Sequence, residues 1–184
     1  MQRLNGDQPC RRSELMTDFR DTVLNAYNIP KPISVNKTCV VTVISRRAYE
    51  GRLIDRTWVN EYEILTLMRE KYPSCIFRSI DFVYLTMEEQ IRTVHESSMI
   101  IGMHGAGMAN VMWLRESMYV IEIFPKDKRR YGYRNICLYI ECTYAEYRGG
   151  IEYGENGMKQ IFPQHWFNLT SPIIESMIQK LSSL

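Results

Sequence analysis

A glycine-rich turn between two apolar runs is the feature that most constrains the fold of this chain. The apolar residues 98–103 lead directly into His104-Gly105-Ala106-Gly107, and residues 108–113 follow. This order predicts a buried strand, a tight turn and a helix. Glycines at such a turn let the backbone approach a ligand closely, and the free N–H groups of a helix start attract an anion. The segment therefore predicts a phosphate site, with close packing of strand on helix as the alternative.

The next apolar run carries a single carboxylate. Residues 118–125 predict a strand that is apolar and aromatic except for Glu122. Ligands of parallel sheets bind at the carboxyl ends of the strands, and a charge in such a run needs a partner. Glu122 is a candidate acceptor for two ribose hydroxyls of a nucleotide. The alternative is a salt bridge to Arg46, Arg47 or Arg134, and the sequence does not choose between them.

Composition places the chain among globular proteins. Its 184 residues suit one domain, and 45% hydrophobic with 24% charged residues argue against a disordered or fibrous chain. The formal net charge of +2 is lower than nucleic-acid binders usually show. One local basic cluster comprises Lys126, Lys128, Arg129, Arg130 and Arg134. No apolar stretch reaches the roughly 20 residues that cross a bilayer, and the amino terminus has no apolar signal core.

Cysteines and sequons bear on the cellular compartment. The cysteines are Cys10, Cys39, Cys75, Cys137 and Cys142. They match no paired metal spacing, and their odd number leaves at least one thiol free or bonded elsewhere, so they are interpreted as small buried hydrophobic residues. Asn36 and Asn168 each begin an Asn-x-Thr sequon and would carry glycans only in a secretory lumen.

Strands and helices alternate along the chain. Strands are predicted at residues 39–44, 75–80, 98–103, 118–125 and 143–148, and helices at 12–27, from 60, from 86, at 108–113 and from 171. The helices are predicted to be capped by Asn60, by a Thr86 and Glu89 capping box, and by Ser171 before Pro172. Residues 150–165 are predicted to be a loop. The order predicts an α/β fold, a Rossmann-like parallel sheet with helices on both faces.

Helical periodicity also identifies apolar faces. They comprise Leu15, Met16, Phe19, Val23 and Tyr27, then Ile64, Leu65 and Met68, then Met87, Ile91 and Val94, and finally Ile173, Ile174, Met177, Ile178 and Leu181.

Polar residues that end the strands are further site candidates. Ser45, Arg46 and Arg47 leave the first strand together, and one guanidinium could hold a diphosphate through a bidentate fork, unless these arginines are merely solvated. His104 is a candidate donor to a phosphate oxygen or to a transferred sugar, or a histidine fixed by a backbone carbonyl. Asp81 is a candidate border of a base-binding slot.

A dinucleotide site is the competing interpretation of the glycine turn. Gly105, Gly107 and Glu122 roughly imitate the fingerprint spacing, but Asn110 stands at the third glycine position and the motif lies in the third strand and helix unit. The sequence holds no Gly-x-Ser-x-Gly elbow, Walker loop, zinc-binding His/Glu helix or Asp-x-Asp clamp. These patterns favour phosphate binding by backbone and arginine, without a metal.

An ordered series of four motifs resembles a known family. The motifs are Val43-Ile44-Ser45-Arg46-Arg47, Glu89-Gln90-Ile91, Ile101-Gly102-Met103-His104-Gly105-Ala106-Gly107-Met108-Ala109-Asn110 and Val120-Ile121-Glu122-Ile123-Phe124-Pro125. The series resembles the glycosyltransferase family 61 domain over about residues 39–148. As an ordered set it is far more specific than any single motif.

The resemblance implies an inverting transfer of GlcNAc, or of a pentose such as xylose, from a UDP-sugar to a protein or glycan hydroxyl, with no metal or other cofactor. It implies that residues 38–184 are the nucleotide-sugar-binding half of a GT-B enzyme and 1–37 a lead-in helix and linker. The acceptor half, a base from it and a membrane anchor would lie outside this chain. A Golgi or endoplasmic reticulum lumen is expected, and no nucleic-acid partner. The implied donor-site residues are Ser45, Arg46, Arg47, Asp81, His104 as the catalytic candidate, Gly105, Ala106, Gly107, Asn110 and Glu122.

Donor and acceptor stay open at this point. Leu114-Arg115-Glu116-Ser117-Met118 departs from the Leu-Pro-x-Gly-Ala that commonly follows the motif helix in the family. A non-catalytic nucleotide-binding remnant is the first alternative. A dinucleotide-dependent oxidoreductase, which would prefer NAD to UDP, is the second.

Overall fold

In a computed structural model, which describes residues 12–30, 38–48, 51, 55–125, 128–154 and 157–183, five strands form one parallel sheet. The strands are β1 Cys39–Ser45, β2 Cys75–Asp81, β3 Met99–Met103, β4 Tyr119–Ile123 and β5 Thr143–Tyr147. Their spatial order is β2-β1-β3-β4-β5, and every neighbouring pair is parallel. All residues of β1, β3 and β4 are buried, as expected of strands that are covered on both faces.

Helices cover both faces of the sheet, which confirms the predicted α/β class. The helices are α1 Glu14–Ala26, α2 Glu61–Lys71, α3 Met87–Glu96, α4 Gly132–Tyr139 and α5 Pro163–Ser182, with 3₁₀-helices at Phe82–Tyr84 and Ala106–Trp113. The apolar residues of α2 and α5 pack with one face of the sheet. Those of α1, α3, α4 and the Ala106–Trp113 helix pack with the other. The predicted domain boundary at residue 38 stays a prediction, since residues 31–37 lie outside the described residues. Leu24 of α1 is only 1% exposed, so α1 packs into this second core.

The structure corrects the predicted start of the last helix. Helix α5 begins with Pro163 at its first turn, so Ser171 is not a cap, and Pro172 lies inside the helix. Trp166 and Thr170, which the sequence analysis assigned to no face, are fully buried on it. Pro172 is exposed, so the carbonyl that loses its helical partner there can bond water.

The predicted loop 150–165 contains a hairpin that the sequence analysis missed. Strands β6 Ile151–Tyr153 and β7 Met158–Gln160 pair antiparallel. Lys159 joins this hairpin to the segment before α2, since its N–H donates to the Thr57 carbonyl at 2.8 Å and its carbonyl accepts from Val59 at 2.8 Å. Asn60 bonds both backbone groups of Ile161 at 2.9 Å. Its amide also donates to the Glu63 carboxylate of α2 at 2.9 Å, but its side chain accepts no bond from a helix N–H, so the predicted cap is wrong. The Thr86 and Glu89 box is confirmed.

Two of the predicted apolar faces are only partly buried. Leu15 and Phe19 of α1 are 76% and 48% exposed, and Met87 of α3 is 47% exposed. Ile91 and Val94 are fully buried, as predicted. No helix in the described part of the chain is long and apolar enough to span a bilayer.

Four of the five cysteines form disulfides, which corrects their interpretation as unpaired hydrophobic residues. Cys39 and Cys75 join the first residues of β1 and β2, and Cys137 and Cys142 join the end of α4 to the start of β5. All four are buried, as expected. Their spacing could not predict the pairing, because Cys39 and Cys75 meet only through the order of the strands. Cys10 lies outside the described residues.

His95 is expected to make stability depend on pH. The side chain is buried on α3, and its Nδ1 lies 3.1 Å from the Trp113 carbonyl. Burial lowers the pKa of the His95 imidazole below 6.5, and the charges of Arg115 and Arg20 add to this effect. The unfolded chain therefore binds the proton more readily, so the free energy of unfolding should fall as the pH drops below about 6.5 and be level above it.

The variant His95→Asn keeps a donor for the Trp113 carbonyl and should lose most of this slope in urea unfolding between about pH 5 and 8. His165→Asn, at an exposed position of α5, is the matched control and should keep the slope. An unchanged slope in His95→Asn would assign the pH dependence to other groups.

Candidate active site

The site lies where the strand order reverses. Strand β1 pairs with β2 on one side and with β3 on the other, so the connections that follow β1 and β3 diverge at their carboxyl ends. In open α/β sheets this crevice is where ligands bind. Arg46 follows β1 and His104 follows β3, so the crevice brings together the predicted arginine and the predicted glycine turn.

The guanidinium of Arg46 lies against Gly105. A Cβ at position 105 would overlap Arg46 Nη1 and lie 3.0 Å from Cζ. The φ of Gly105 is 169°, which is ordinary extended backbone, so space and not backbone conformation requires a glycine here. At Gly107 a Cβ would lie 3.1 Å from Cγ2 of Ile44. The predicted turn and its short helix are confirmed. The guanidinium of Arg46 explains the glycine at 105, and close packing on Ile44 explains the glycine at 107.

Arg46 has spare hydrogen-bonding capacity. Its Nε is buried and has no partner among the residues that the structure describes. Burial, followed by the charge of Arg56, lowers the pKa of the guanidinium, while Asp81 and Asp55 act in the opposite direction. A partly buried cation beside a second cation is an arrangement that an anion would stabilise.

The imidazole ring of His104 bonds the carboxylate of Glu122 and not a backbone carbonyl, which was the predicted alternative. His104 Nδ1 lies 2.5 Å from Glu122 Oε1, and the hydroxyl of Tyr144 donates to Oε2 at 2.6 Å. The imidazole stacks on Phe124 with ring centroids 4.8 Å apart, and the ring of Tyr133 lies 5.6 Å away. The backbone N–H of His104 donates to Ile123 at 2.8 Å. These contacts fix both the position and the plane of the ring.

Glu122 is held by two side chains and by none of the arginines that were predicted as partners. The residue is fully buried, and its two oxygens bond His104 and Tyr144, while its contact with ribose hydroxyls stays a prediction. Arg134, one predicted partner, lies over the ring of Tyr131 at 4.3 Å. A direct bond from Glu122 to a nucleotide would require this arrangement to open.

Sequence reasoning missed Tyr144. It lies on β5 opposite Val120 of β4, and Glu122 is two residues beyond Val120 on the same face of the sheet. Alternation along the predicted fifth strand was the available signal. Burial and the charge of Glu122 raise the pKa of the Tyr144 phenol, so its hydroxyl keeps its proton and acts as a donor.

A cavity of about 400 Å³ opens beside His104. It is lined by Arg56, His104, Lys128, Arg130, Gly132, Tyr133 and Ile136. Lys128 and Arg130 belong to the basic cluster noted in the sequence. Arg56 was not predicted from the sequence. It precedes the segment held by the β6–β7 hairpin, and a Cβ at Gly157 would lie 3.3 Å from the Cγ of Arg56. The cavity is therefore positively charged on several sides.

Ser45 and Arg47 are separated from the His104 cavity. Because side chains alternate along a strand, they lie on the other face from Arg46. Ser45 donates to Glu61 at 2.9 Å, and Arg47 donates to Ser79 at 3.2 Å. Both line a second cavity of about 350 Å³, to which Arg46 also contributes. All three predicted neighbours therefore line this second cavity, while the guanidinium of Arg46 also lies against Gly105.

Asp81 and Asn110 hold the surrounding loops. Asp81 accepts from the backbone N–H groups of Arg47 at 3.1 Å and Val83 at 3.2 Å. The Asn110 amide donates to Gln90 at 3.1 Å and to the carbonyl of Gly107 at 3.2 Å. These bonds give both residues structural roles, and their contact with a nucleotide stays a prediction. Ala106, the first residue of the 3₁₀-helix, is exposed.

The remaining predicted sites have less support from the geometry. Asn168 is exposed on α5, but Thr170 of its sequon is buried and donates to the Trp166 carbonyl at 2.9 Å. Asn36 lies outside the described residues. Within the described ranges, no three His, Cys, Asp or Glu side chains are grouped as metal ligands.

Comparison with known proteins agrees with this geometry. The sequence model of the family described as Glycosyltransferase 61 matches residues 7–121, more than half of the chain. The match includes Arg46, His104 and the glycine turn; it begins and ends earlier than the predicted span of 39–148.

Curated relatives carry one activity in their names. The EGF domain-specific O-linked N-acetylglucosamine transferase of Gallus gallus is 27% identical over 124 residues, 66% of this chain and 22% of that protein. The protein of that name in Xenopus laevis is 27% identical over 123 residues, which are 66% of this chain and 22% of that protein. The protein of that name in Rattus norvegicus is 24% identical over 124 residues, which are 66% of this chain and 23% of that protein. This chain spans less than a quarter of the length of these relatives. The match over residues 7–121, together with the glycine turn and the strand order, shows that the chain belongs to glycosyltransferase family 61.

Proposed function

We propose that this chain binds a UDP-sugar at the carboxyl edge of its sheet and serves as the donor-binding part of an inverting, metal-independent glycosyltransferase. The observation that carries the proposal is Arg46, a partly buried guanidinium held against the glycine turn at the point where the strand order reverses. Its Nε has no partner within the described ranges. A guanidinium is suited to bidentate binding of phosphate oxygens.

The surrounding charges suit a diphosphate leaving group. Arg46, Arg56, Lys128 and Arg130 supply positive charge around one crevice and cavity. As the bond from the anomeric carbon to the phosphate oxygen breaks, its electron pair leaves with the diphosphate. Fixed cations stabilise the charge that develops there, which is the role a metal ion would otherwise fill.

The names of the relatives suggest which sugar is transferred and which acceptor receives it, and we propose both for this chain. Their printed names specify N-acetylglucosamine and EGF domains. We infer transfer of GlcNAc to a protein or glycan hydroxyl, with a pentose such as xylose as the second candidate sugar. The two disulfides support an oxidising compartment such as the Golgi or endoplasmic reticulum lumen.

Calorimetric binding of UDP tests the donor site. We expect saturable binding of UDP that Arg46→Ala weakens by about tenfold to a hundredfold, because hydrogen bonds to charged groups contribute roughly 1.5–3 kcal/mol. The matched control is Arg92→Ala, which removes a surface arginine paired with Glu88 on α3 and should leave the affinity unchanged.

Each alternative function gives its own result in the same titrations. Preference for NAD over UDP would favour an oxidoreductase. If circular dichroism shows that the chain is folded and it does not bind UDP, a non-catalytic remnant is favoured. Equal losses in Arg46→Ala and Arg92→Ala would place the nucleotide elsewhere.

A further inference from the structure

The two ring nitrogens of His104 have different environments. Nδ1 lies 2.5 Å from Glu122 Oε1, and a carboxylate can only accept a hydrogen bond, so Nδ1 is the nitrogen that carries the proton. In the neutral ring the lone pair then lies on Nε2. Among the described residues no group bonds Nε2, and His104 lines the cationic cavity.

The carboxylate that selects this tautomer depends on Tyr144. Glu122 is fully buried, and an ionised carboxylate in such a place needs donors for both oxygens. His104 supplies one donor and Tyr144, at 2.6 Å, supplies the other. Without the tyrosine hydroxyl, one oxygen of the buried carboxylate would lack a partner.

Packing fixes which edge of the imidazole meets a ligand. Stacking on Phe124 and the nearby ring of Tyr133 hold the plane of the imidazole. Arg148 in turn lies over the ring of Phe124 at 4.3 Å. With Nδ1 turned toward Glu122, the opposite edge with Nε2 is the one available to the cavity.

We propose that Tyr144 is a positioning residue: together with Glu122 it holds His104 as the Nδ1–H tautomer, so that Nε2 accepts a hydrogen bond from a sugar or acceptor hydroxyl and not from a phosphate. This inference rests on the proposed function. Phosphate oxygens only accept hydrogen bonds, so they suit the cations and not a lone pair. Where that hydroxyl belongs to the acceptor, its proton moves to Nε2 in the transfer step. The acceptor oxygen bonds the anomeric carbon, and the bond from this carbon to the phosphate oxygen breaks with its electrons on the diphosphate. Glu122 stabilises the imidazolium that forms.

Nitrogen NMR of the ring measures the tautomer without any ligand. The chain has three histidines, so long-range ¹H–¹⁵N spectra of histidine-labelled protein are simple, and the variant His104→Asn identifies the signals of His104. At alkaline pH we expect a protonated Nδ1 and a bare Nε2. A protonated Nε2 with a bare Nδ1 would overturn the proposal.

The two variants test what holds the tautomer. Glu122→Gln replaces the carboxylate with an amide that can donate to Nδ1, so part of the ring should change to the Nε2–H tautomer at alkaline pH. Tyr144→Phe leaves Oε2 of Glu122 without the tyrosine donor, so a smaller part of the ring should change in the same direction. Both variants leave the other residues that line the cavity unchanged.

The matched control is Tyr147→Phe. Tyr147 is also buried on β5, on the other face of the sheet. This control should keep the wild-type tautomer of His104; a change equal to that of Tyr144→Phe would mean a general effect of loosening β5 and would overturn the positioning role. If Tyr144→Phe does not fold, the tautomer of His104 in Glu122→Gln decides alone.

Addition of UDP and UDP-GlcNAc separates this inference from the proposed function. If UDP binds and Nε2 stays unprotonated, the assignment of a hydroxyl to Nε2 is supported. A change in the ¹⁵N signal of Nε2 that only UDP-GlcNAc produces would assign this hydroxyl to the donor sugar. If UDP binds and protonates Nε2, a phosphate lies there and the inference fails while the donor site stands. If UDP does not bind, the proposed function fails, and the ligand-free tautomer still decides the role of Tyr144.

Discussion

Gly105→Ala should weaken UDP binding by about tenfold or more while changing the free energy of unfolding little. The new Cβ would occupy the position of Arg46 Nη1, and the guanidinium, at the end of a flexible side chain, would move out of the crevice. The loss should equal that of one charge-assisted phosphate contact, roughly 1.5–3 kcal/mol. Stability should change little, because the extended backbone at Gly105 accepts any residue. Calorimetry with UDP and urea unfolding measure the two quantities.

Gly107→Ala is the matched control in the same turn. Its Cβ would meet only a methyl group of Ile44 at 3.1 Å, so UDP affinity should stay within about twofold of wild type. The double variant Gly105→Ala/Arg46→Ala should bind no more weakly than Arg46→Ala alone, because both changes remove one interaction. Additive losses would show that Gly105 contributes through its own backbone contact with the nucleotide.

Trp166→Ala should lower the free energy of unfolding by about 3–5 kcal/mol. Trp166 is fully buried and its ring lies 5.2 Å from those of Trp58 and Tyr147. Its indole N–H donates to the sulfur of Met68 at 3.4 Å. The side chain therefore joins α5, α2 and the sheet, and its removal leaves a cavity at their meeting point. Urea unfolding followed by circular dichroism measures the change.

Trp166→Phe keeps an aromatic ring in this place and should lower the free energy of unfolding clearly less than the alanine variant does. Phe167→Ala removes the next aromatic side chain of α5, which is only partly buried, and should also cost less. A Trp166→Ala variant within about 1 kcal/mol of wild type would show that the first turns of α5 contribute little to the core.

The sheet was predictable because its strands are continuous apolar runs. Strands buried on both faces carry β-branched residues without interruption, as in β1, and the intervening helical periodicity predicts crossovers between parallel strands. The start of α5 was not predictable in this way. Ser171 followed by Pro172 is a good helix start locally, but burial of Trp166 outweighs that signal and extends the helix back to Pro163.

The candidate site was predictable where chemistry follows directly from a strand end. Arg46, His104 and the glycine turn all lie at the carboxyl edge by sequence position alone. The partner of Glu122 was not predictable, since it depends on which strand follows β4 in space and on which face its tyrosine lies. Arg56 reaches the cavity through contacts with a hairpin about 100 residues later in the chain, and no local pattern encodes such contacts.

The bridge between Cys39 and Cys75 has a practical consequence for how this protein is made. It spans 36 residues, and a loop of that length reduces the freedom of the unfolded chain by about 4 kcal/mol in the entropy model. Material expressed in a reducing bacterial cytoplasm would lack this contribution, so melting temperatures measured on it would understate those of the disulfide-bonded protein. The bridge joins the amino ends of β1 and β2, at the opposite edge from Arg46, so nucleotide affinity should be the same in both preparations.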